Sequence, residues 1–145
     1  MRFLMIVKAT EDSEAGVFGK PEEYAAMGQL MEDMAKAGHL ILGDGLKPSS
    51  EGKRLQISGG KITKVTDGPF AETKELVAGY CLADFPSWEV CMEWNERFAA
   101  AMGEGDCEIR PLFEADDFPE DVFPPEAAAR EQALRDELEA KAKQR

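Results

Sequence analysis

Hydrophobic and polar residues alternate with a period of two at the start of the chain. Phe3, Met5 and Val7 fall on one side and Arg2, Leu4, Ile6 and Lys8 on the other, which predicts a strand over Arg2 to Lys8. Glu11 to Lys20 follows neither period and contains Gly16 and Gly19, so a loop is expected there. Pro21 suits the first turn of a helix, where its missing N–H costs nothing, and Glu22 and Glu23 suit the positive end of the helix dipole. Tyr24, Met27, Leu30, Met31 and Met34 recur at helical spacing and predict a buried stripe, stopped by Gly38. Methionines at this spacing read as core; a soft metal site or a pliable binding surface is the competing reading.

Leu40-Ile41-Leu42 reads as a short buried strand broken by Gly43-Asp44-Gly45. Arg54 to Ser58 and Lys61 to Thr66 flank Gly59-Gly60 and predict a hairpin. Leu76 to Asp84 reads as a strand in which Gly79 marks a close backbone approach or a bulge. Ser87 is an N-cap for a second helix carrying Trp88, Cys91, Trp94, Phe98 and Met102. Cys107 to Phe113 reads as the last strand, with Cys107, Ile109, Pro111 and Phe113 on one face and Glu108, Arg110 and Leu112 on the other. Pro111 there marks an edge or a bulge. This order predicts an α+β, ferredoxin-like sheet with an inserted β-hairpin. Such a sheet has helices on one face only, and pairing into a homodimer is the expected cover for the other. Arg2, Glu108 and Arg110 fit a partly polar surface enclosed between two subunits.

Beyond the last strand comes the acidic run Glu114 to Asp121, and then Pro124-Pro125. Glu126 to Arg145 is rich in Ala, Glu, Lys and Arg and predicts a C-terminal helical extension. Glu131–Arg135, Glu137–Lys141 and Glu139–Lys143 have the favourable i,i+4 order, and Leu134 and Leu138 are the only large apolar residues in it. The expected division is a domain over 1–123 and a charged tail over 124–145.

The formal net charge of −12 argues against direct binding to nucleic acid or to an anionic membrane surface. No apolar segment is long enough to span a bilayer, and Met1 to Val7 is too short for a signal peptide. Cys81, Cys91 and Cys107 are widely spaced and read as buried free thiols in a reducing cytoplasm. With a single histidine, no zinc site is expected.

The densest ionisable chemistry lies in Asp67-Gly68-Pro69-Phe70-Ala71-Glu72-Thr73-Lys74-Glu75. Asp-Gly-Pro alone makes a turn; the residues after it exceed what a turn needs. Asp67 reads either as the turn's cap or as a carboxylate in a cleft beside Arg110. Glu108–Arg110 reads either as a structural ion pair or as part of that site. His39 sits at a helix end that favours its charged form, and an ordinary partly exposed histidine is the competing reading. Gly43-x-Gly45 lacks the rest of a dinucleotide pattern, and there is no Gly-x-Ser-x-Gly elbow. No cofactor is expected. Any reaction would be proton transfer, such as isomerisation or elimination on a small organic acid.

The Asp67–Glu75 run resembles the defining motif of the DGPF branch of the YCII-related family. Gly43-Asp44-Gly45-Leu46-Lys47-Pro48 and Glu108-Ile109-Arg110-Pro111-Leu112 resemble the same family, in the same order, over roughly residues 1–118. The resemblance implies a ferredoxin-like fold of the dimeric α/β-barrel type. Relatives outside this branch suggest a His–Asp pair as active site, whereas the position of His39 is commonly apolar within it. Some relatives resemble dehydrochlorinases of aromatic breakdown. Others are encoded beside, or fused to, extracytoplasmic-function sigma factors. Two readings follow. One is a cofactor-independent acid–base enzyme or small-molecule binder, with Asp67, His39 and Arg110 as catalytic candidates. Asp44, Phe70, Glu72, Lys74, Glu75 and Glu108 would then contact an anionic ligand. The other is a regulatory accessory protein acting through a basic, sigma-factor-linked protein partner.

Overall fold

A computed structural model describes residues 1–144 of the chain, which falls into two units, Met1–Leu112 and Phe113–Arg145. In the first unit, strands β1 (Arg2–Lys8), β2 (Leu40–Gly45), β5 (Val77–Asp84) and β6 (Cys107–Pro111) form one sheet in the order β2-β5-β1-β6. All three ladders are antiparallel. Helix α2 (Pro21–Lys36) connects β1 to β2, and α3 (Trp88–Met102) connects β5 to β6. That connectivity and strand order are ferredoxin-like. Strands β3 (Lys53–Ser58) and β4 (Lys61–Asp67) make the separate inserted hairpin.

The core lies between the sheet and the two long helices. Phe3, Met5, Cys81 and Ala83 from the central strands are buried with Leu30 and Met34 of α2 and Cys91 and Phe98 of α3. Each large apolar side chain so buried contributes about 1.5–3 kcal/mol. Ser87 caps α3, accepting the Val90 amide at 3.3 Å. Gly38 takes φ +81° as α2 ends. Arg97 of α3 hydrogen-bonds Asp33 of α2, which lowers the Asp33 pKa and ties the two helices together.

Several expectations needed correction. Glu11–Glu14 is a helical turn, α1, because Thr10 and Ser13 form a reciprocal capping box. Strand β2 does not stop at Gly43 but runs to Gly45, pairing Asp44 with Tyr80 and Gly45 with Gly79. Ile41 and Leu42 are exposed in it rather than buried, since β2 is an edge strand. Tyr24 lies outside the buried stripe, and its hydroxyl accepts the Gly19 amide at 3.1 Å. Trp88 is also partly exposed, although its ring meets Phe3 edge-on at 4.8 Å. Cys107 is exposed, unlike Cys81 and Cys91. Gly79 makes the close approach its position predicts, since a Cβ there would lie 3.2 Å from the Asp44 carbonyl oxygen.

In the second unit, Phe113, Phe118 and Phe123 stack in succession, with ring centroids 4.8 and 5.3 Å apart. The acidic run and helix α4 (Pro125–Lys143) lie in this same unit. Glu137–Lys141 (2.8 Å) and Glu139–Lys143 (3.0 Å) form as the spacing predicts, as does Glu131–Arg135. No residue of α4 is buried. A chain ending at Phe123 is therefore expected to melt within a few degrees of the full chain by circular dichroism. A loss of more than about 10 °C would make the helix part of the folding unit.

Candidate functional site

The helices cover one face of the four-stranded sheet. The opposite face carries the alternate residues of each strand. Register aligns Asp44, Tyr80, Ile6 and Glu108 in one row across β2, β5, β1 and β6. The neighbouring row is Leu42, Leu82, Leu4 and Arg110. An aliphatic strip thus has ionisable groups at both ends. At the β6 end, Glu108 lies 3.7 Å from Lys8 Nζ and 3.5 Å from Arg110 Nη1. The two cations exceed the one carboxylate, and the Arg110 side chain is 70% exposed, so guanidinium donors remain for another anion. At the β2 end, Asp44 and Tyr80 are direct cross-strand neighbours, and the Tyr80 hydroxyl has no partner among the described residues.

The Asp67–Glu75 run lies elsewhere, at the root of the hairpin. Asp67 faces Lys53 across the last rung, with Nζ to Oδ1 at 2.6 Å and both side chains well exposed. Arg110 is not its partner within one chain. The Gly68 amide donates to the Gly52 carbonyl at 3.0 Å. Here the backbone comes so close to the Ser49–Glu51 turn that a Cβ on Gly68 would lie 1.7 Å from the Ser49 carbonyl oxygen. The Phe70 amide donates to Ser49 Oγ at 3.0 Å, and the Arg54 guanidinium stacks 4.1 Å from the Phe70 ring centre. Ser49 in turn donates its hydroxyl and its amide (2.8 Å) to the Glu14 carboxylate. Those two hydrogen bonds hold Glu14 below its ordinary pKa. Glu72 takes a left-handed φ of 64° ahead of the Thr73–Glu75 turn, on which Lys74 and Glu75 are exposed.

His39 packs on the helix side, its ring centre 5.0 Å from Phe85 and 5.7 Å from Trp94. Its Nδ1 lies 2.9 Å from the Asp84 carbonyl oxygen, which assigns the proton to that nitrogen. The structure therefore gathers Asp44, Glu108 and Arg110 on one sheet face, and keeps Asp67, Phe70 and His39 away from it. Sequence reasoning missed Tyr80 and Lys8, both marked by strand alternation. It also missed Glu14 and Ser49, which no spacing could connect. Burial raises the Cys81 pKa to about 11 and also raises that of Cys91, so neither thiol is primed as a nucleophile. Among the described residues no group of three or more His, Cys, Asp or Glu gathers as a metal site would.

Two outcomes separate the parts of the hairpin root. Asp67→Asn is expected to change stability by less than about 1 kcal/mol, the worth of an exposed ion pair. Gly68→Ala should cost about 1–3 kcal/mol or more, because backbone must move to admit the methyl group; urea denaturation of both variants checks this. Because the Glu14 pKa is depressed in the folded state, its contribution is present at neutral pH and lost on acidification. The gap in melting temperature between wild type and Glu14→Gln should thus be open at pH 7 and close below about pH 4. A gap of constant size down to pH 3 would remove Glu14 from the anchor.

Comparison with known proteins gives the following. An uncharacterized protein of Rhizobium meliloti (strain 1021) is 33% identical over 106 residues, covering 70% of this chain and 85% of that protein. A solved structure of 5-chloro-2-hydroxyhydroquinone dehydrochlorinase from Burkholderia phenoliruptrix, in complex with 2,5-dihydroxybenzoquinone, is 16% identical. It aligns over 82% of this chain and 100% of its own, with a TM-score of 0.45. No helix among the described residues is long and apolar enough to cross a membrane. The YCII-related domain matches residues 1–116, and the chain belongs to that family.

Proposed function

We propose that the protein binds a small aromatic acid on the helix-free sheet face, as a homodimer in which the second copy closes the site. The observation that carries this reading is the aliphatic strip of Leu4, Ile6, Leu42 and Leu82, with Arg110 and Lys8 at one end and Asp44 and Tyr80 at the other. Strands β5 and β6 are two spacings apart, about 10 Å. That is the span of a monocyclic aromatic acid with a hydrogen bond at each end. Arg110 would take the carboxylate and the strip the ring. Tyr80 and Asp44 would meet a phenol or an acidic C–H opposite. A carboxylate beside a phenol can take up and return a proton without a cofactor, so isomerisation or elimination is the chemistry open to the site.

Closure by a second copy follows from the same face, which is too flat to exclude water by itself. A two-fold axis along the strands would set the Asp44 edge of each sheet over the Lys8–Arg110 edge of the other, which opposes unlike charges. The three free cysteines suit a reducing cytoplasm. The alternative, a regulatory accessory protein beside a sigma factor, rests on the family resemblance, and the net charge of −12 would direct it to a basic protein partner rather than to DNA.

Isothermal titration with 4-hydroxybenzoate tests the reading. Binding is expected, weakened at least about tenfold by Arg110→Ala, since a charged hydrogen bond contributes about 1.5–3 kcal/mol. Tyr80→Phe should weaken it less. No heat of binding across hydroxylated benzoates, or affinity indifferent to Arg110→Ala, would overturn it.

A further inference from the structure

Glu108 stands between two cations on the open face of the sheet. Its Oε1 faces Lys8 Nζ at 3.7 Å, and its Oε2 faces Arg110 Nη1 at 3.5 Å. The β1–β6 ladder sets Glu108 opposite Ile6 and Arg110 opposite Leu4, at the edge of the aliphatic strip. Both contacts are longer than a charged hydrogen bond, which needs about 2.7–2.9 Å. Glu108 therefore cancels charge at this end of the strip without taking up the donors of either cation. The Lys8, Glu108 and Arg110 side chains are 24%, 43% and 70% exposed, and ion pairs as open as these add little to stability. Stability thus gives little reason for a carboxylate at this position.

Two cations and one carboxylate leave a single positive charge at this end of the strip. A ligand carboxylate held by Arg110 shares its guanidinium with Glu108, so the two anions are near neighbours. One ligand carboxylate brings the count to two anions against two cations. A second carboxylate beside the first brings it to three against two, and the excess charge lies next to Glu108. Like charges about 4 Å apart change an affinity about fivefold even at the dielectric constant of bulk water. The aliphatic side chains beside them lower the local dielectric constant and enlarge that penalty.

We propose that Glu108 sets the charge of the ligand: the Lys8–Glu108–Arg110 end admits an aromatic acid with one carboxylate and turns away one with two on adjacent carbons. The inference rests on the sheet-face site proposed above and narrows what that site takes. Glu108 makes no bond to the ligand. It acts through the field it lays over Lys8 and Arg110, which makes it a specificity-determining residue and leaves it outside the proton chemistry. Asp106 lies two residues earlier, just ahead of β6, is exposed, and makes no ion pair among the described residues. It carries the same charge without touching either cation and so serves as the internal control.

Isothermal titration at neutral pH compares 4-hydroxybenzoate with 4-hydroxyphthalate, which adds one carboxylate next to the first. Wild type is expected to prefer the monoacid. Glu108→Gln, which keeps the shape and loses the charge, should move the ratio of the two affinities at least about fivefold toward the dicarboxylate. Glu108→Asp should keep the wild-type preference, and Asp106→Asn should move the ratio less than Glu108→Gln does. If Glu108 only steadied Arg110, Glu108→Gln would weaken both acids alike and leave the ratio in place. That result, an equal shift from Asp106→Asn, or a wild-type preference for the dicarboxylate overturns the role of Glu108 and leaves the sheet-face site standing. A wild type that binds neither acid overturns the site and the role of Glu108 with it.

Discussion

Both long helices pack on the same side of the β2-β5-β1-β6 sheet, and that one-sidedness governs the rest of the molecule. Every second residue of the central strands enters the core, as Phe3, Met5, Cys81 and Ala83 do. The residues between them have no layer of their own. A single sheet cannot bury both its faces with two helices, so a protein of this topology must either make the second face polar or cover it. This chain does neither alone. Its open face keeps Leu4, Ile6, Leu42 and Leu82 as an aliphatic strip, with Asp44 on one edge strand, Glu108 and Arg110 on the other, and Lys8 at the end of central strand β1. Apolar surface of that kind is stable in water only when something is placed over it.

The inserted hairpin has the complementary deficit. It is a ribbon with four exposed aliphatic residues, Leu55, Ile57, Ile62 and Val65, on one face, held at its root by Gly52, Ser49 and Phe70. Bulging Thr63 out of register costs one ladder rung and aligns Ile62 with Val65. The close packing of Gly68 on the Ser49 carbonyl fixes the root of that ribbon against the Ser49–Glu51 turn.

Much of the fold could be read from period and punctuation alone. Alternation located β1, the Gly59-Gly60 turn located the hairpin, and helical spacing located α2 and α3. The edge position of β6 was legible from Pro111, whose missing N–H excludes it from a central strand. The failures share a cause. Burial depends on neighbours in space, so Leu40-Ile41-Leu42 looked like a buried strand, and in it only Leu40 packs against the core while Ile41 and Leu42 are exposed. Tyr24 matched the helical stripe in spacing and still lay outside it, drawn to the Gly19 amide. The capping box of Thr10 and Ser13 was present in the sequence and was masked by the glycines around it.

The candidate site was less legible, because chemistry was sought where ionisable residues are dense along the chain. Density in sequence and convergence in space are different properties. Asp67 found Lys53 fourteen residues away through the hairpin ladder, which is a local consequence of the turn. Asp44 found Tyr80, and Leu4 found Arg110, through strand pairing that only the sheet order determines. Those pairings were derivable once the ferredoxin-like order was accepted, since register follows from which residues must face the core. Phe3 and Met5 are obliged inward, so Leu4 and Ile6 are obliged outward, and their partners on β5 and β6 follow with them. The Glu14–Ser49–Phe70 chain was not derivable in that way. It joins a capped turn, a 3₁₀ turn and a hairpin root, three irregular segments with no shared period. Hydrogen bonds between irregular segments leave no pattern in a sequence, and here they are what gives the Asp-Gly-Pro-Phe motif its structural role.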